Sequence, residues 1–394
     1  MKPIRAKLQI VGSVALAIGV SVIAIACSRP EAKTVASTWD ARAAAGYLDY
    51  RTNWWLGWNG AARDHDTACV SCHTSMVYSL ARPALRGTLG ENEPSGEERR
   101  VLDNVIKRVR LWKEVQPYYD DHAYKPVQSR GTESVVNALI LAAHDAQAGQ
   151  LSDDTRAAFG NMWALQRTAG DDKGSWPWLQ FNLEPWEAKD SEYYGAALAA
   201  VAVGTAPEDY RTSVEIQPQV EMLRQYLRRS FATQSLMNRA TVLWASTKLP
   251  GLLTSEQQKV LIDEISSRQK PDGGWELPAA AFSPHGSSFS TMWRAWIRAD
   301  GSLQDNNSDG LATSFMVFVL RQAGVDRSHD SVKRGISWLM TNQDKDGFWR
   351  SNSVNKRRNP TSDTGQFMSD AATAYAVLAL TESQKAPVAS PAHH

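Results

Sequence analysis

After residue 40 the chain alternates between amphipathic segments and segments that are apolar on every side. Three amphipathic segments each end just before a glutamine: 159–165, 260–267 and 335–340. Each is followed, after a loop of variable length, by a segment rich in small apolar residues: 191–203, 311–323 and 371–380. Residues 133–146 and 239–247 are related helices. Polar-striped helices alternating with apolar ones predict an outer ring of helices around an inner ring.

A short turn recurs between the two kinds of helix. Residues 269–275 and 343–349 share the pattern Q-x-x-D-G-x-W, and a looser copy runs from Gln166 to Trp176. Repetition of one unit is typical of helical arrays, in which each helix pair packs only against its neighbours. The pattern predicts a glycine-containing turn held by its glutamine and tryptophan, with Trp176, Trp275 and Trp349 as packing residues.

On these turns the sequence resembles the α/α-toroid family of squalene-hopene cyclases and protein prenyltransferases. The resemblance implies an all-α fold, an α/α-toroid of about five to six helix pairs over residues 40–385. It does not imply the family's activities, because the D-x-D-D acid motif of the cyclases is missing. The chain also lacks a match to the Asp-Cys-His zinc ligands of the prenyltransferases. Fold and function are therefore treated separately.

The charge balance and the cysteine count exclude several classes of protein. Among 394 residues, 43 Lys and Arg oppose 42 Asp and Glu, for a net charge of +1. A nucleic-acid-binding protein needs a more basic surface, so we expect no nucleic-acid partner. Three cysteines are too few for a disulfide scaffold. Fifteen tryptophans exceed what the turns need. The extra ones near the presumed cavity mouth are Trp178, Trp186, Trp293 and Trp296.

The N-terminus has the pattern of a bacterial export signal. Lys2, Arg5 and Lys7 precede an uncharged run over residues 10–26, and Cys27 follows small residues. The segment resembles a lipoprotein signal, which implies a cleaved peptide 1–26 and a lipid on Cys27. An uncleaved membrane anchor is the alternative. Both place the body outside the cytoplasm, in the periplasm or on the outer face of a bacterial membrane. Residues 28–38 read as a linker and 386–394 as a disordered tail.

The other two cysteines form the c-type haem attachment signature C-x-x-C-H with Cys69, Cys72 and His73. Two thiols at this spacing can each bond one vinyl group of a single covalently attached haem, and His73 is then the proximal iron ligand. A disulfide would not need His73, and a zinc site would need further ligands. A thioredoxin-like pair would follow a strand, which this region does not predict.

The haem motif is expected on the opening turns of the first inner helix, facing the centre of the ring. Trp54, Trp55 and Trp58 would supply an aromatic wall nearby. The alternative is a separate small cytochrome domain with a methionine ligand. Residues 40–130 offer only Met76, on the same side of the haem as His73, which argues against such a domain.

Candidates for the distal iron ligand come from elsewhere in the chain. His122 precedes the second inner helix, and Met368 precedes the last, which a closed ring brings beside the first. His285 and Met292 lie in a long loop and are further candidates.

The function expected from the sequence is electron transfer by an exported, membrane-tethered, mono-haem c-type cytochrome with a redox partner protein. The basic run 356–358 is either a solvated loop or a docking site for an acidic redox partner. One alternative is a haem-dependent oxidoreductase acting on peroxide, a small gas or an apolar isoprenoid-like molecule. Another is a haem-based sensor or binding scaffold.

Overall fold

The helices of the toroid run from Ala41 to Glu382 in a computed structural model that describes residues 38–121, 124–282 and 293–382. In chain order the elements are α1 (Ala41–Gly57), β1 (Ala62–Arg63), β2 (Thr67–Ala68), α2 (Ser75–Leu89), α3 (Gly96–Arg110), α4 (Lys125–Asp145), α5 (Asp153–Ala164), α6 (Ser191–Thr205), α7 (Glu208–Arg211), α8 (Gln217–Ser230), α9 (Leu236–Ser246), α10 (Ser255–Ser267), α11 (Leu277–Ala281), α12 (Gly310–Gln322), α13 (Asp330–Thr341) and α14 (Phe367–Glu382). Short 3₁₀ turns cover Phe231–Thr233 and Asp363–Gly365.

Six helices form a closed inner ring. Helices α2, α4, α6, α9, α12 and α14 each pack against the next, and α14 packs against α2. In α6, which is built largely from alanine, glycine and valine, the side chains from Tyr193 to Gly204 are all buried. A helix that is apolar on every side must be covered on every side, so these helices form the interior.

Six amphipathic helices surround this ring: α1, α3, α5, α8, α10 and α13. Helix α3 shows the pattern, because it buries Val101, Val105 and Val109 at a spacing of four residues. Its first turn is closed by a capping box between Ser95 and Glu98. The prediction of an all-α toroid of about five to six helix pairs is confirmed, and the number of pairs is six.

The repeated turns link each outer helix to its neighbours by the same hydrogen bonds. The tryptophan Nε1–H donates to a carbonyl near the end of the preceding outer helix: Trp176 to Met162, Trp275 to Ile265 and Trp349 to Leu339. The glutamine Nε2–H₂ donates within its own turn and to the next outer helix or its lead-in. Gln166 binds the carbonyls of Gly174 and Gln219, and Gln269 those of Gly273 and Ser331. The three tryptophans are buried packing residues, as predicted.

The third turn closes the ring. Gln343 Nε2 donates to the carbonyl of Asp40 at 2.9 Å, and the Asp40 N–H donates to Gln343 Oε1 at 2.7 Å. Asp40 is the N-cap of α1, where its side chain accepts from the N–H of Ala43. The last outer helix therefore bonds to the first through a pair of hydrogen bonds that spans 303 residues of sequence.

Several expectations fall on residues that the structure does not describe. The signal peptide 1–26, the lipidation residue Cys27, nearly all of the linker and the tail 386–394 lie outside the described ranges, as do His122, His285 and Met292. Within the described ranges, no helix combines the length and apolar character needed to cross a membrane.

Candidate functional site

The segment that carries Cys69, Cys72 and His73 lies just before the first inner helix. The hairpin of β1 and β2 pairs Ala62 with Ala68 and leads directly into it. The segment was expected on the opening turns of α2, but that helix begins at Ser75. The Ser71 hydroxyl accepts hydrogen bonds from the N–H groups of Thr74 and Ser75, so it caps α2 and keeps the motif in the preceding turn.

Both cysteines face the interior as free thiols. Cys69 and Cys72 are each 7% exposed, and they form no disulfide with each other. Burial raises the pKa of Cys69 to about 12 and raises that of Cys72 well above its usual value. Trp55 Nε1 donates to the Cys69 carbonyl at 2.7 Å and holds the backbone in place. Two neutral thiols thus lie side by side near the end of the inner ring.

A chain of hydrogen bonds fixes the protonation of His73. Thr74 Oγ1 donates to Asp370 Oδ2 at 2.7 Å, and His73 Nδ1 lies 2.8 Å from Thr74 Oγ1. Because the threonine proton is directed to Asp370, its oxygen is left to accept, and Nδ1 must carry the hydrogen. The Nε2 atom of His73 therefore presents a bare lone pair.

Asp370 is held in place by a buried network. Arg51 Nε donates to its Oδ1 at 2.7 Å, and the Tyr47 hydroxyl donates to the same oxygen at 2.9 Å. Arg51 is fully buried and also pairs with Asp363 at 3.0 Å. Burial, followed by the charges of Arg51 and Arg358, lowers the pKa of His73 to about 3, so its imidazole is neutral.

Replacing Thr74 with valine is expected to remove the preference for the Nδ1–H tautomer of His73. Valine has nearly the same shape but cannot relay a hydrogen bond to Asp370, and we expect a loss of stability of about 1–2 kcal/mol. Nitrogen chemical shifts of the imidazole report the tautomer, and urea titration reports the stability. A Thr74→Ser protein keeps the hydroxyl and should behave like the wild type. An unchanged tautomer in the valine variant would contradict the relay.

Aromatic rings surround the His73 imidazole. Phe367 stacks on it with ring centroids 4.1 Å apart, Trp55 meets it edge-on at 5.1 Å, and Trp186 lies 6.2 Å away. His73 and Phe367 nevertheless keep some accessible surface. Partial accessibility at a site where burial perturbs the pKa so strongly is typical of a side chain that lines a recess. We call the space next to His73, Phe367 and Glu187 the recess.

Three acids lie on one loop beside the recess. The carboxylate loop, residues 181–190, contains Glu184, Glu187 and Asp190 and forms a tight turn in which Leu183 pairs with Glu187. Asn355 holds it from the loop before α14: its Oδ1 accepts from the Glu184 N–H at 2.8 Å, and its Nδ2 donates to the Glu184 carbonyl at 2.7 Å.

The acids of the carboxylate loop hold their protons unusually tightly. Burial raises the pKa of Glu187 to about 7, partly opposed by Lys125. Burial and the negative charge of Asp190 raise the pKa of Glu184 to about 8. Within the described residues, the Glu187 carboxyl has neither a hydrogen bond nor an ion pair, and it keeps accessible surface. Its negative charge acts on Cys69 and Cys72, which places it beside the haem motif.

The remaining predicted residues are dispersed. Met368 is buried at the start of α14, directly after the phenylalanine that stacks on His73, and its role as an iron ligand stays a prediction. Of the extra tryptophans, Trp178 and Trp186 are buried, whereas Trp293 and Trp296 are 54% and 66% exposed. Among the described ranges, no group of three or more His, Cys, Asp or Glu side chains could hold a metal ion. A haem iron takes most of its ligands from the porphyrin and needs no such group.

Solved structures of similar fold include a wild-type glycosidase, which is 12% identical, with a TM-score of 0.50 over 87% of this chain and 96% of its own. A tyrosine-to-phenylalanine variant with the same glycosidase title is 13% identical, with the same score and coverage. The type II terpene cyclase MstE from Scytonema is 12% identical, with a TM-score of 0.40 over 87% of this chain and 98% of its own. No protein-family model matches the chain, and no curated protein matches it. At these identities the likeness concerns the fold alone.

The interpretation of the chain as an electron-transferring c-type cytochrome is wrong. The solved structures just described are glycosidases and a terpene cyclase, and none of them is a cytochrome. The haem-dependent oxidoreductase and the haem-based sensor, the alternatives to it, find no support there either. The motif led to this error because three residues identify an attachment chemistry, whereas the function depends on what the whole ring builds around them.

Two features of the site escaped the sequence analysis. The acids of the carboxylate loop stand in an ordinary-looking connection, and only the cluster Glu184, Trp186 and Glu187 marks it. Arg51 and Asp370 read as one charge on an outer helix and one at the start of an inner helix. A polar pair at buried positions of two helices was the available signal, and it is visible only once the ring is known to close.

Proposed function

We propose that this chain is a hydrolase that cleaves a glycosidic bond, with Glu187 as its proton donor. The observation that supports the proposal is the state of Glu187: an accessible carboxyl without a partner among the described residues, with a pKa of about 7, beside aromatic rings. A carboxyl that needed only to be solvated would lie on the surface. Groups with strongly shifted pKa values cluster at functional sites.

A protonated carboxyl is what glycoside hydrolysis needs on the leaving-group side. The leaving sugar oxygen must gain a proton as the bond to the anomeric carbon breaks, and an acid with a pKa near the working pH does this best. Glu187 still holds its proton at neutral pH because burial disfavours the carboxylate. The partial opposing effect of Lys125 keeps its pKa near 7, so it can release the proton.

The opposite role requires an ionised carboxylate, and Asp190 is our candidate. Its negative charge raises the pKa of Glu184, so Glu184 keeps its proton to about pH 8 while Asp190 is ionised. Asp190 would take a proton from the attacking water as the water oxygen bonds to the anomeric carbon. Glu187 would give its proton to the leaving oxygen, so one water is consumed and the number of protons balances.

The glycosidic linkage is chosen over other linkages for two reasons. Two solved proteins with this fold are glycosidases by title. The recess also presents flat rings, Phe367 and Trp186, on which the apolar face of a sugar can stack.

The test is release of reducing sugar from a panel of soluble polysaccharides and aryl glycosides by the wild type, Glu187→Gln and Glu114→Gln. Glu114 is an exposed acid and serves as the control. We expect activity in the wild type and in the Glu114 variant, with a loss above about pH 7 as Glu187 ionises. Absence of activity in the wild type, or full activity in Glu187→Gln, would contradict the proposal.

The motif before α2 supports a second, separate proposal, which concerns a cofactor. We propose that Cys69 and Cys72 attach one haem and that His73 Nε2 binds its iron. The bare Nε2 and the two adjacent free thiols fit this group, because each supplies the atom that the attachment chemistry requires. When bound, haem supplies a redox-active iron. The relay from Asp370 through Thr74 orients the imidazole.

Covalent haem is tested by producing the full chain in a bacterium with c-type haem maturation. After acid denaturation the haem should stay on the wild-type polypeptide, as shown by its mass and its pyridine haemochrome spectrum. Cys69→Ala/Cys72→Ala should carry none. Cys27→Ala should keep the haem but leave the membrane fraction if Cys27 is lipidated, as we also propose. A wild-type chain without covalent haem would overturn the cofactor proposal and leave the hydrolase proposal intact.

A further inference from the structure

A polar cleft of about 570 Å³ lies between residues 298–305 and residues 352–365. Three arginines line it, Arg298, Arg357 and Arg358, together with one acid, Asp305. At its other end the cleft reaches Gly365, two residues before the phenylalanine that stacks on His73. The cleft therefore approaches the segment that borders the recess.

Hydrogen bonds between the two segments give the cleft a defined shape. Arg298 Nε donates to the Ser353 carbonyl at 2.8 Å, and the Arg357 N–H donates to Asp300 Oδ2 at 2.6 Å. The Ala299 N–H donates to the Asn355 carbonyl at 3.0 Å. Since Asn355 also holds the carboxylate loop through Glu184, the cleft and the candidate acids share one support.

The positive charges of the cleft are not neutralised by its own acid. Within the described residues, neither the Arg357 nor the Arg358 guanidinium forms an ion pair. The Asp305 carboxylate is occupied instead, because it accepts from the N–H and Nδ2 of Asn307 and from Asn352 Nδ2. Guanidinium groups are suited to paired hydrogen bonds with planar or tetrahedral oxyanions.

We propose that this cleft binds the oxyanionic group, a carboxylate or a sulfate, of an anionic glycan whose adjoining sugar enters the recess. The glycan part rests on the proposed function, whereas the preference for an oxyanion rests on the arginines. Arg357 and Arg358 contact the oxyanion, and Arg298 mainly shapes the cleft because its guanidinium is bonded to the Ser353 and Leu303 carbonyls. A neutral glycan would leave two arginine side chains without an anionic partner.

The test is calorimetric binding of an oligogalacturonate, a sulfated galactan oligosaccharide and a neutral galactan oligosaccharide of equal length. We use the full-chain Glu187→Gln protein, so that no ligand is consumed. At least one anionic probe should bind about 10-fold or more tightly than the neutral one, and the tighter of the two identifies the oxyanion. Its affinity should fall by about 10-fold or more in Arg357→Gln/Arg358→Gln and weaken with added salt.

The control variant is Arg42→Gln/Arg156→Gln, which removes the same charge at exposed positions of the outer helices. It should bind like the parent protein. Equal binding of neutral and anionic probes, no binding of any probe, or equal loss in both double variants would overturn the proposal. Failure of the hydrolase proposal looks different, because selective anionic binding would persist while the wild type releases no sugar.

Discussion

A Glu187→Gln protein is expected to lose hydrolysis by a factor of about 10²–10⁴, the contribution typical of a general acid. Glutamine has the same shape and still donates a hydrogen bond, but it cannot transfer a proton. Residual activity should no longer fall as the pH rises through 7, since the group that ionises there is gone. The initial rate of reducing-sugar release as a function of pH measures both effects.

The same substitution should make the protein more stable at pH 8. Burial raises the pKa of Glu187 from 4.5 to about 7, so the folded state binds more protons than the unfolded state between these values. The free energy of unfolding of the wild type therefore falls as the pH rises through this window, and the full cost is present above pH 7. Glutamine never ionises and avoids that cost.

We expect Glu187→Gln to exceed the wild type by about 1–3 kcal/mol at pH 8, discounted for the partial accessibility of the carboxyl, and to equal it at pH 4. Urea titration at both pH values measures the difference. The exposed Glu114→Gln variant should stay within about 0.5 kcal/mol of the wild type at either pH. Loss of stability at pH 8 in Glu187→Gln would show that this carboxyl serves packing, not chemistry.

Replacing Gly347 with alanine is expected to open the ring where it closes. Gly347 has a φ of +91°, which alanine adopts only with strain. A Cβ atom there would lie 2.2 Å from the backbone of Ala43 in the first outer helix, too close for either chain to accept. Strain and overpacking together should cost about 2–4 kcal/mol.

Urea titration and size-exclusion chromatography test this prediction. A wider ring should unfold at lower urea concentration and elute earlier. The control is Gly160→Ala in the outer helix α5, where no neighbouring atom lies within 4 Å of the added Cβ. That change should be neutral or stabilise by up to about 1 kcal/mol, because alanine favours helix. Equal stability of the two variants would argue against Gly347 as a ring-closing contact.

The ring was predictable from the sequence because its information is local and repeated. Each turn carries a glutamine, a glycine and a tryptophan at fixed spacing, and each does the same work in the structure. Even the degenerate copy from Gln166 to Trp176 forms the same bonds. The start of α2 was less predictable, since the Ser71 cap depends on a hydroxyl that is equally at home inside a helix.

The site was only partly predictable, for the opposite reason. Cys69, Cys72 and His73 are neighbours in the chain, so their spacing alone shows that they can act together. The aspartate that orients His73 lies 296 residues beyond Thr74, and no pattern links the two. The pKa values of Glu184 and Glu187 depend on burial, which a loop sequence does not reveal.

The sequence by itself determined the helical repeat, the glycine turns and the chemistry available to the segment before α2. These follow from periodicity and short spacing, and both survive any arrangement of the rest of the chain. The tertiary structure decided which residues meet. It paired Asp40 with Gln343 and Thr74 with Asp370, and it placed Glu187 beside the two thiols. The physical reason is that closing a ring joins distant segments, and electrostatic effects depend on distance and burial in space.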